Sequence, residues 1–298
     1  MITSGRDEKI CITFHLNSRI VLMTAKIKLS DSAFFTLLLE GLEAYSIKHQ
    51  GQKKVTIETH AQLWGTSNKR LPFSCEVKHI SVDSSAHKRR DSVAIKPLAL
   101  ELKKDIAAMF GEGYSHLGTF HTHPWVMNEK IRDGDEVKGP SSIRRHKLYN
   151  FSCDDHLCEC ESPTINVGKN KFSIALVMTI FAGIKADDRK DGFVDDSLFE
   201  FSLGNVKVWL KAQVYQHKPL STLTSTELKT LNVYGLLENR DYQQWQPNSV
   251  PIPIATKLEA RFLNDLGYYL EKFGRILIDG NNSVYRNAKE AEKRWLFT

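Results

Sequence analysis

The chain predicts an α/β protein: a mixed β-sheet flanked by helices, followed by a mainly helical C-terminal extension. Three observations carry this. Runs rich in Ile, Val, Thr and Phe alternate with amphipathic stretches of helical period over residues 1–215. One run, Phe172 to Ala182, is almost continuously apolar, as a strand covered on both faces must be. After about residue 216 the character changes, and apolar residues recur at helical spacing only near the end. The chain therefore divides into a domain over 1–215 and an extension over 216–298.

The elements follow in order. Ile10 to Leu29 breaks at Asn17-Ser18 and reads as two strands joined by a turn. Ser30 or Asp31 can cap a helix whose buried stripe is Phe34, Leu38, Leu42 and Tyr45. Lys54 to Trp64 reads as a strand, Gly65 to Asn68 as a turn, and Leu71 to Val82 as the next strand. A polar, basic loop covers Asp83 to Asp91. Pro97 opens a second helix with Leu98, Leu102, Ile106 and Phe110 as its apolar stripe, and Gly111 to Gly113 ends it. A strand from Tyr114 then runs into His121 and His123. From Trp125 to Phe151 the periodicity is lost, so this reads as a long, mobile insertion. Beyond the central strand, Phe199–Leu203 and Val206–Val214 pair as a hairpin through Gly204-Asn205. Leu258, Phe262, Leu266, Leu270 and Phe273 mark a long amphipathic helix.

Composition narrows the function classes. Hydrophobic content of 41% and charged content of 26% are those of a soluble globular chain. A net charge of +6 does not call for nucleic acid. Two basic clusters, Lys88-Arg89-Arg90 and Arg144-Arg145-His146-Lys147, read as solvated loops or as a contact for an acidic partner. There are five cysteines, no leading apolar segment and no run long enough for a membrane helix. Together these predict reduced thiols and a cytoplasmic location, with no membrane partner.

The chemistry-bearing stretch is Phe120-His121-Thr122-His123-Pro124-Trp125. Residues i and i+2 of a strand point to one side, roughly 6.5 Å apart. Two imidazoles so placed can converge on one metal ion. Pro124 lacks an N–H and is expected to end the strand, leaving the histidines at its mouth. A catalytic zinc takes three protein ligands and keeps one position open. Ser152-Cys153-Asp154-Asp155 offers a carboxylate downstream, either Asp154 or Asp155, and Glu58 offers one upstream. Cys153, His156, Cys158 and Cys160 lack the spacing of a zinc finger, so the cysteines read as free thiols rather than as part of a second metal site. Trp64 and Trp125 flank the motif and read as packing residues. No H-E-x-x-H is present.

The order Glu58…His121-x-His123-Pro124…Ser152-x-x-Asp155 resembles the JAMM metalloproteases, whose fold is the MPN (Mov34/PAD1-type) domain. Glu58 lies seven residues before Gly65, with Leu63 between, as in that family's E-x-x-G-x-L-x-G setting; Ala61 stands where the inner glycine usually does. The resemblance covers roughly residues 30–215. It implies an MPN-type, cytidine-deaminase-like layered fold and one catalytic Zn2+ held by His121, His123 and Asp155. It further implies Glu58 as the general base and Ser152 as the hydroxyl that stabilises the oxyanion. The implied activity is zinc-dependent isopeptide or peptide cleavage after the C-terminal tail of a ubiquitin-like protein, in a bacterial deubiquitinase-like branch. E1/E2-like partners and an antiphage conjugation pathway belong to the same implication. Two alternatives stand beside it, a non-catalytic MPN scaffold and a zinc peptidase that processes a sulfur-carrier protein. The family joins its Pro and Ser by a much shorter connection than residues 125–151 provide here.

Overall fold

The computed structural model describes residues 24–47, 56–85, 87–88, 93–94, 96–111, 114–131, 134–185, 187–233, 249–265, 276–279 and 285–286. Strand β1 (Ala25–Leu29) alternates buried and exposed residues; the strand expected before it, from Ile10, lies outside the described residues. Ser30 caps helix α1 (Asp31–Ser46), its Oγ accepting the Ala33 N–H at 3.2 Å. The expected stripe holds: Phe34 and Tyr45 are buried, with Leu38 and Leu42 packed at the margin.

The strands β2 (His60–Ser67), β3 (Ser74–Val82), β6 (Ser115–Trp125), β8 (Asn170–Ala182), β9 (Gly192–Asp195), β10 (Leu198–Leu203), β11 (Val206–Lys218) and β13 (Thr256–Ala260) join β1 in one mixed sheet. Its order is β13-β1-β3-β2-β6-β8-β11-β10-β9, with β7 (Ile165–Val167) beside β8 and β12 (Val250–Ile254) beside β11. A two-stranded hairpin, β4 (His87–Lys88) and β5 (Val93–Ala94), interrupts the loop after β3. Parallel pairing of β6 with β8 and antiparallel pairing of β6 with β2 set the centre. Strand β8 is buried along nearly its whole length, as the apolar run predicts.

Period-two alternation divides that run between two faces. Phe172, Ile174, Leu176, Met178 and Ile180 point to the face that packs against α1 and holds the main core. Ala175, Val177 and Phe181 point to the opposite face. Here the expectation of a mobile insertion fails. Residues 126–150 fold back onto the sheet and bury Ile131, Val137, Ile143 and Leu148 against Trp125, Phe181, Leu198 and Trp209. The segment contains a tight reversal, with Val137 N–H on the Glu129 carbonyl at 2.8 Å, and a short helix α3 (Pro140–Arg145). Its apolar residues fall at turn-set intervals, so neither a helical nor a strand period reveals them. Arg144, expected as a solvated charge, instead grips the buried Glu200 and Asp187.

Three other expectations are corrected. Helix α2 (Pro97–Met109) forms as predicted, but its stripe faces solvent: Leu98 is 78% and Leu102 61% exposed. The reason lies beneath it. The sheet surface there is polar, and Lys103 of α2 reaches Asp83, which accepts from His60 and Gln62. Strand β2 begins at His60 rather than near Lys54 and runs through Gly65, where a bulge shifts its register with β3. A Cβ at Gly65 would run into the Glu76 carbonyl, so only glycine fits that bulge. Finally, Leu258 lies on a strand, not on a helix. The run β12–β13 pairs first with β11 and then with β1, curling the sheet back toward itself. A single helical turn, Arg261–Asn264, follows, while Leu266, Leu270 and Phe273 lie outside the described residues. The extension also supplies an unforeseen helix α5 (Ser225–Val233). Among the described residues no helix is long and apolar enough to cross a membrane.

Candidate metal centre

His121 and His123 sit on β6 opposite Val177 and Thr179 of β8, on the face that carries the insertion. Pro124 does not end the strand, which continues to Trp125. The Thr122 N–H points toward β2, onto the Thr59 carbonyl, so the missing N–H of Pro124 faces the same way. There the neighbouring chain has already left: the Ile57 N–H is bonded to Ala44 of α1. No ladder bond is lost. Tyr45 of α1 fastens this end from the other face, its hydroxyl donating to the Trp125 carbonyl and accepting the Ala182 N–H, both at 2.8 Å.

The carboxylate arrives on helix α4 (Cys153–Cys158). The S-x-x-D spacing is a capping box: Ser152 Oγ accepts the Asp155 N–H at 3.1 Å, and Asp155 Oδ2 accepts the Ser152 N–H at 2.6 Å. This box fixes the Asp155 side chain and turns it toward β6. Asp154 at the adjacent position is exposed, which resolves the choice between the two.

The two imidazole nitrogens lie close together, and each faces one oxygen of the Asp155 carboxylate. His121 Nε2 and His123 Nε2 are 3.1 Å apart, His121 Nε2 is 3.1 Å from Asp155 Oδ1, and His123 Nε2 is 3.2 Å from Asp155 Oδ2. A tetrahedral ion with bonds near 2.0–2.1 Å has ligand-to-ligand edges of about 3.3 Å. Two imidazoles and a carboxylate are three donors, which would leave one position of a tetrahedral ion open. This His121-His123-Asp155 cluster can hold a metal ion. Burial opposes charge on Asp155, but the facing imidazoles outweigh it and hold the carboxyl well below the usual range.

Glu58 lies on the stretch leading into β2, half-buried. His60 pairs with His121, and the Thr59–Thr122 backbone bond continues that register. Glu58 stands two residues before His60 on that stretch, just ahead of the Thr59–Thr122 bond. Ser152 stands beside the centre through its capping bond, which uses an Oγ lone pair and leaves the hydroxyl proton to be donated. No disulfide joins Cys75, Cys153, Cys158 and Cys160, and none of them belongs to the metal cluster. Burial pushes the Cys160 thiol up to about 12, which makes it a poor nucleophile. Trp64 and Trp125 are both buried packing residues, as expected.

Sequence reasoning missed the polar groups around the centre. Phe151 packs edge-on to His121, with ring centroids 6.1 Å apart, and touches Tyr215. The Tyr215 hydroxyl bonds His156 Nδ1 at 2.9 Å. Glu159, in the 3-10 turn Glu159–Glu161 after α4, is buried and accepts from Ser173 Oγ at 2.9 Å and Thr119 Oγ1 at 3.3 Å. Burial pushes its carboxyl up to about 7 against the pull of those hydroxyls. The available signal was the polar Ser173 inside an apolar run, and Glu159 standing four residues after Asp155.

No known protein family and no curated protein matches this chain.

Proposed function

We propose that the chain is a zinc metallo-isopeptidase of JAMM type on an MPN-type fold, cleaving after the C-terminal tail of a ubiquitin-like protein. The observation that carries this reading is the convergence of His121, His123 and Asp155, with Glu58 two residues before His60, the strand partner of His121. A scaffold without catalysis has no use for a converged ligand set. The substrate class rests on the resemblance of the motif order alone, as do E1/E2-like partners, the antiphage context and a cytoplasmic setting.

His121, His123 and Asp155 would hold the zinc, which supplies Lewis acidity and makes water a nucleophile near neutral pH. Glu58 takes a proton from the attacking water and delivers it to the departing amine nitrogen. The carbonyl carbon gains an oxygen and loses that nitrogen, leaving a free C-terminal carboxylate and a free amine. The Ser152 hydroxyl donates to the carbonyl oxygen as charge develops on it, a contribution of roughly 10²–10³ in rate where such donors have been removed. Glu58 contributes roughly 10²–10⁴.

Two measurements on purified protein test this. Elemental analysis after zinc-supplemented expression is expected to find about one zinc per chain, lost in His121→Ala. Ubiquitin-like and sulfur-carrier precursors carrying a C-terminal reporter are expected to be cleaved by wild type. Glu58→Gln should retain zinc while turnover drops at least roughly 10²-fold. Near wild-type cleavage by Glu58→Gln would remove the base and with it the mechanism, and absence of zinc would remove the reading altogether.

A further inference from the structure

The carboxylates of Asp155 and Glu159 stand four residues apart, one helical turn, and so project from the same side of α4 and the turn that extends it. Thr119, His121 and His123 stand two apart on β6, and so project from the same side of the strand. The two rows meet residue for residue. Asp155 reaches both histidines, and Glu159 reaches Thr119 further back along the strand. Helix α4 has only six residues, well below the length at which a helix holds itself in water. Its capping box fixes Asp155 relative to the helix, but not the helix relative to the sheet.

Glu159 supplies the second point. Its Oε2 accepts from Ser173 of β8, and Ser173 Oγ is 2.9 Å from His217 Nε2 of β11. Ser173 Oγ thus bridges the Glu159 carboxylate, to which it donates, and His217 Nε2. The chain of bonds crosses β6, β8 and β11, three neighbouring strands of the sheet. Glu159, Ser173 and His217 are each under 7% exposed. Ser173 is fully enclosed between two bonded partners, which removes it as a nucleophile.

We infer that Glu159 is a positioning residue of the metal centre: by clamping α4 onto β6, β8 and β11 it fixes the Asp155 carboxylate over the two imidazoles. The inference rests on the metal reading of the His121-His123-Asp155 cluster and extends it to residues outside the ligand set. Groups that orient ligands typically change metal affinity by 10- to 100-fold when removed.

The test compares zinc affinity, by competition with a chromogenic chelator, with the melting temperature of the zinc-free protein. In Glu159→Ala the zinc affinity is expected to fall roughly 10- to 100-fold, with recovery of most of it in Glu159→Gln, which keeps an acceptor oxygen for Ser173. Glu200→Gln serves as the structural control. It disturbs a buried ion pair away from α4, so its melting temperature should fall while zinc affinity stays within about twofold of wild type. Should Glu159→Ala fail to fold, Ser173→Ala removes one donor to the same carboxylate and is expected to weaken zinc binding in the same direction. Wild-type affinity in Glu159→Ala, or in Ser173→Ala where the former cannot be made, overturns the positioning role alone. A wild-type protein that binds no zinc overturns the metal reading and this inference with it.

Discussion

Replacing Ile143 by Ala tests whether residues 126–150 belong to the body of the protein or merely lie over it. Ile143 is fully buried in the cluster that joins the insertion to Trp125, Phe181 and Trp209. The substitution removes three carbons, worth about 2.4 kcal/mol at ~0.8 kcal/mol per buried methylene. The cavity left behind adds to that, because two tryptophans and a strand backbone cannot collapse into it, so the total should fall within the ~2–5 kcal/mol seen for such truncations. For a chain of this size each kcal/mol is worth roughly 2–4 °C, so the melting temperature should drop by roughly 4–20 °C. Urea unfolding followed by tryptophan fluorescence reads the change directly, since Trp125 and Trp209 line the same cluster. A loss below about 0.5 kcal/mol, the range of an ordinary surface substitution, would show that the segment is a loose flap after all. The argument from buried contacts would then be wrong.

The remaining predictions are shorter. Ser152→Ala removes one half of the capping box and should cost about 1 kcal/mol of stability while weakening zinc binding through the loosened Asp155, measured by chelator competition. Leu102→Ser, on the exposed stripe of α2, should leave the melting temperature within about 1–2 °C of wild type, whereas a buried stripe would lose far more. The zinc-free protein should lose stability as pH falls from about 6.5 toward 4. Burial holds His156 and His217 down to about 4, so their contribution is complete above the ordinary imidazole value and is lost on acidification. Glu159, pushed up to about 7, acts in the opposite sense between its unfolded value and 7, so Glu159→Gln should steepen the acid loss; a wild-type urea midpoint that stays flat over this window would refute the burial argument.

Legibility in the sequence followed local periodicity. Helix α1, strand β8 and the β10–β11 hairpin are each specified by their own residues: a serine cap, an unbroken apolar run, a Gly204-Asn205 turn with Gly204 at φ +65°. Where an element's environment decides, the pattern misled. The stripe Leu98-Leu102-Ile106 has a perfect helical period and identifies α2, but period says nothing about which side the helix packs. Here His60, Gln62 and Asp83 beneath it select the polar side. Leu258 and Phe262 have helical spacing too, yet Leu258 is recruited as a strand residue because β1 needs a partner on its free edge. That demand is set by residues more than two hundred positions earlier, and no local window contains it.

The candidate metal centre shows the converse, a long-range cluster whose parts are locally specified. His121 and His123 need only a strand to share a face, and Asp155 needs only Ser152 to be turned inward, since the S-x-x-D spacing is itself a helix start. The separation between the two halves carries no structural demand, because closing a longer loop costs only about 0.6 kcal/mol per doubling of its length. The insertion can therefore lie between the candidate ligands, build its own apolar cluster and leave the 3.1–3.2 Å contacts among them intact. What local spacing cannot supply is the placement of α4 against the strand, and that falls to Glu159, Ser173 and His217, polar residues spread over three elements. A ligand motif is readable because each half is rigid by itself; the groups that dock the halves together are legible only once the sheet order is known.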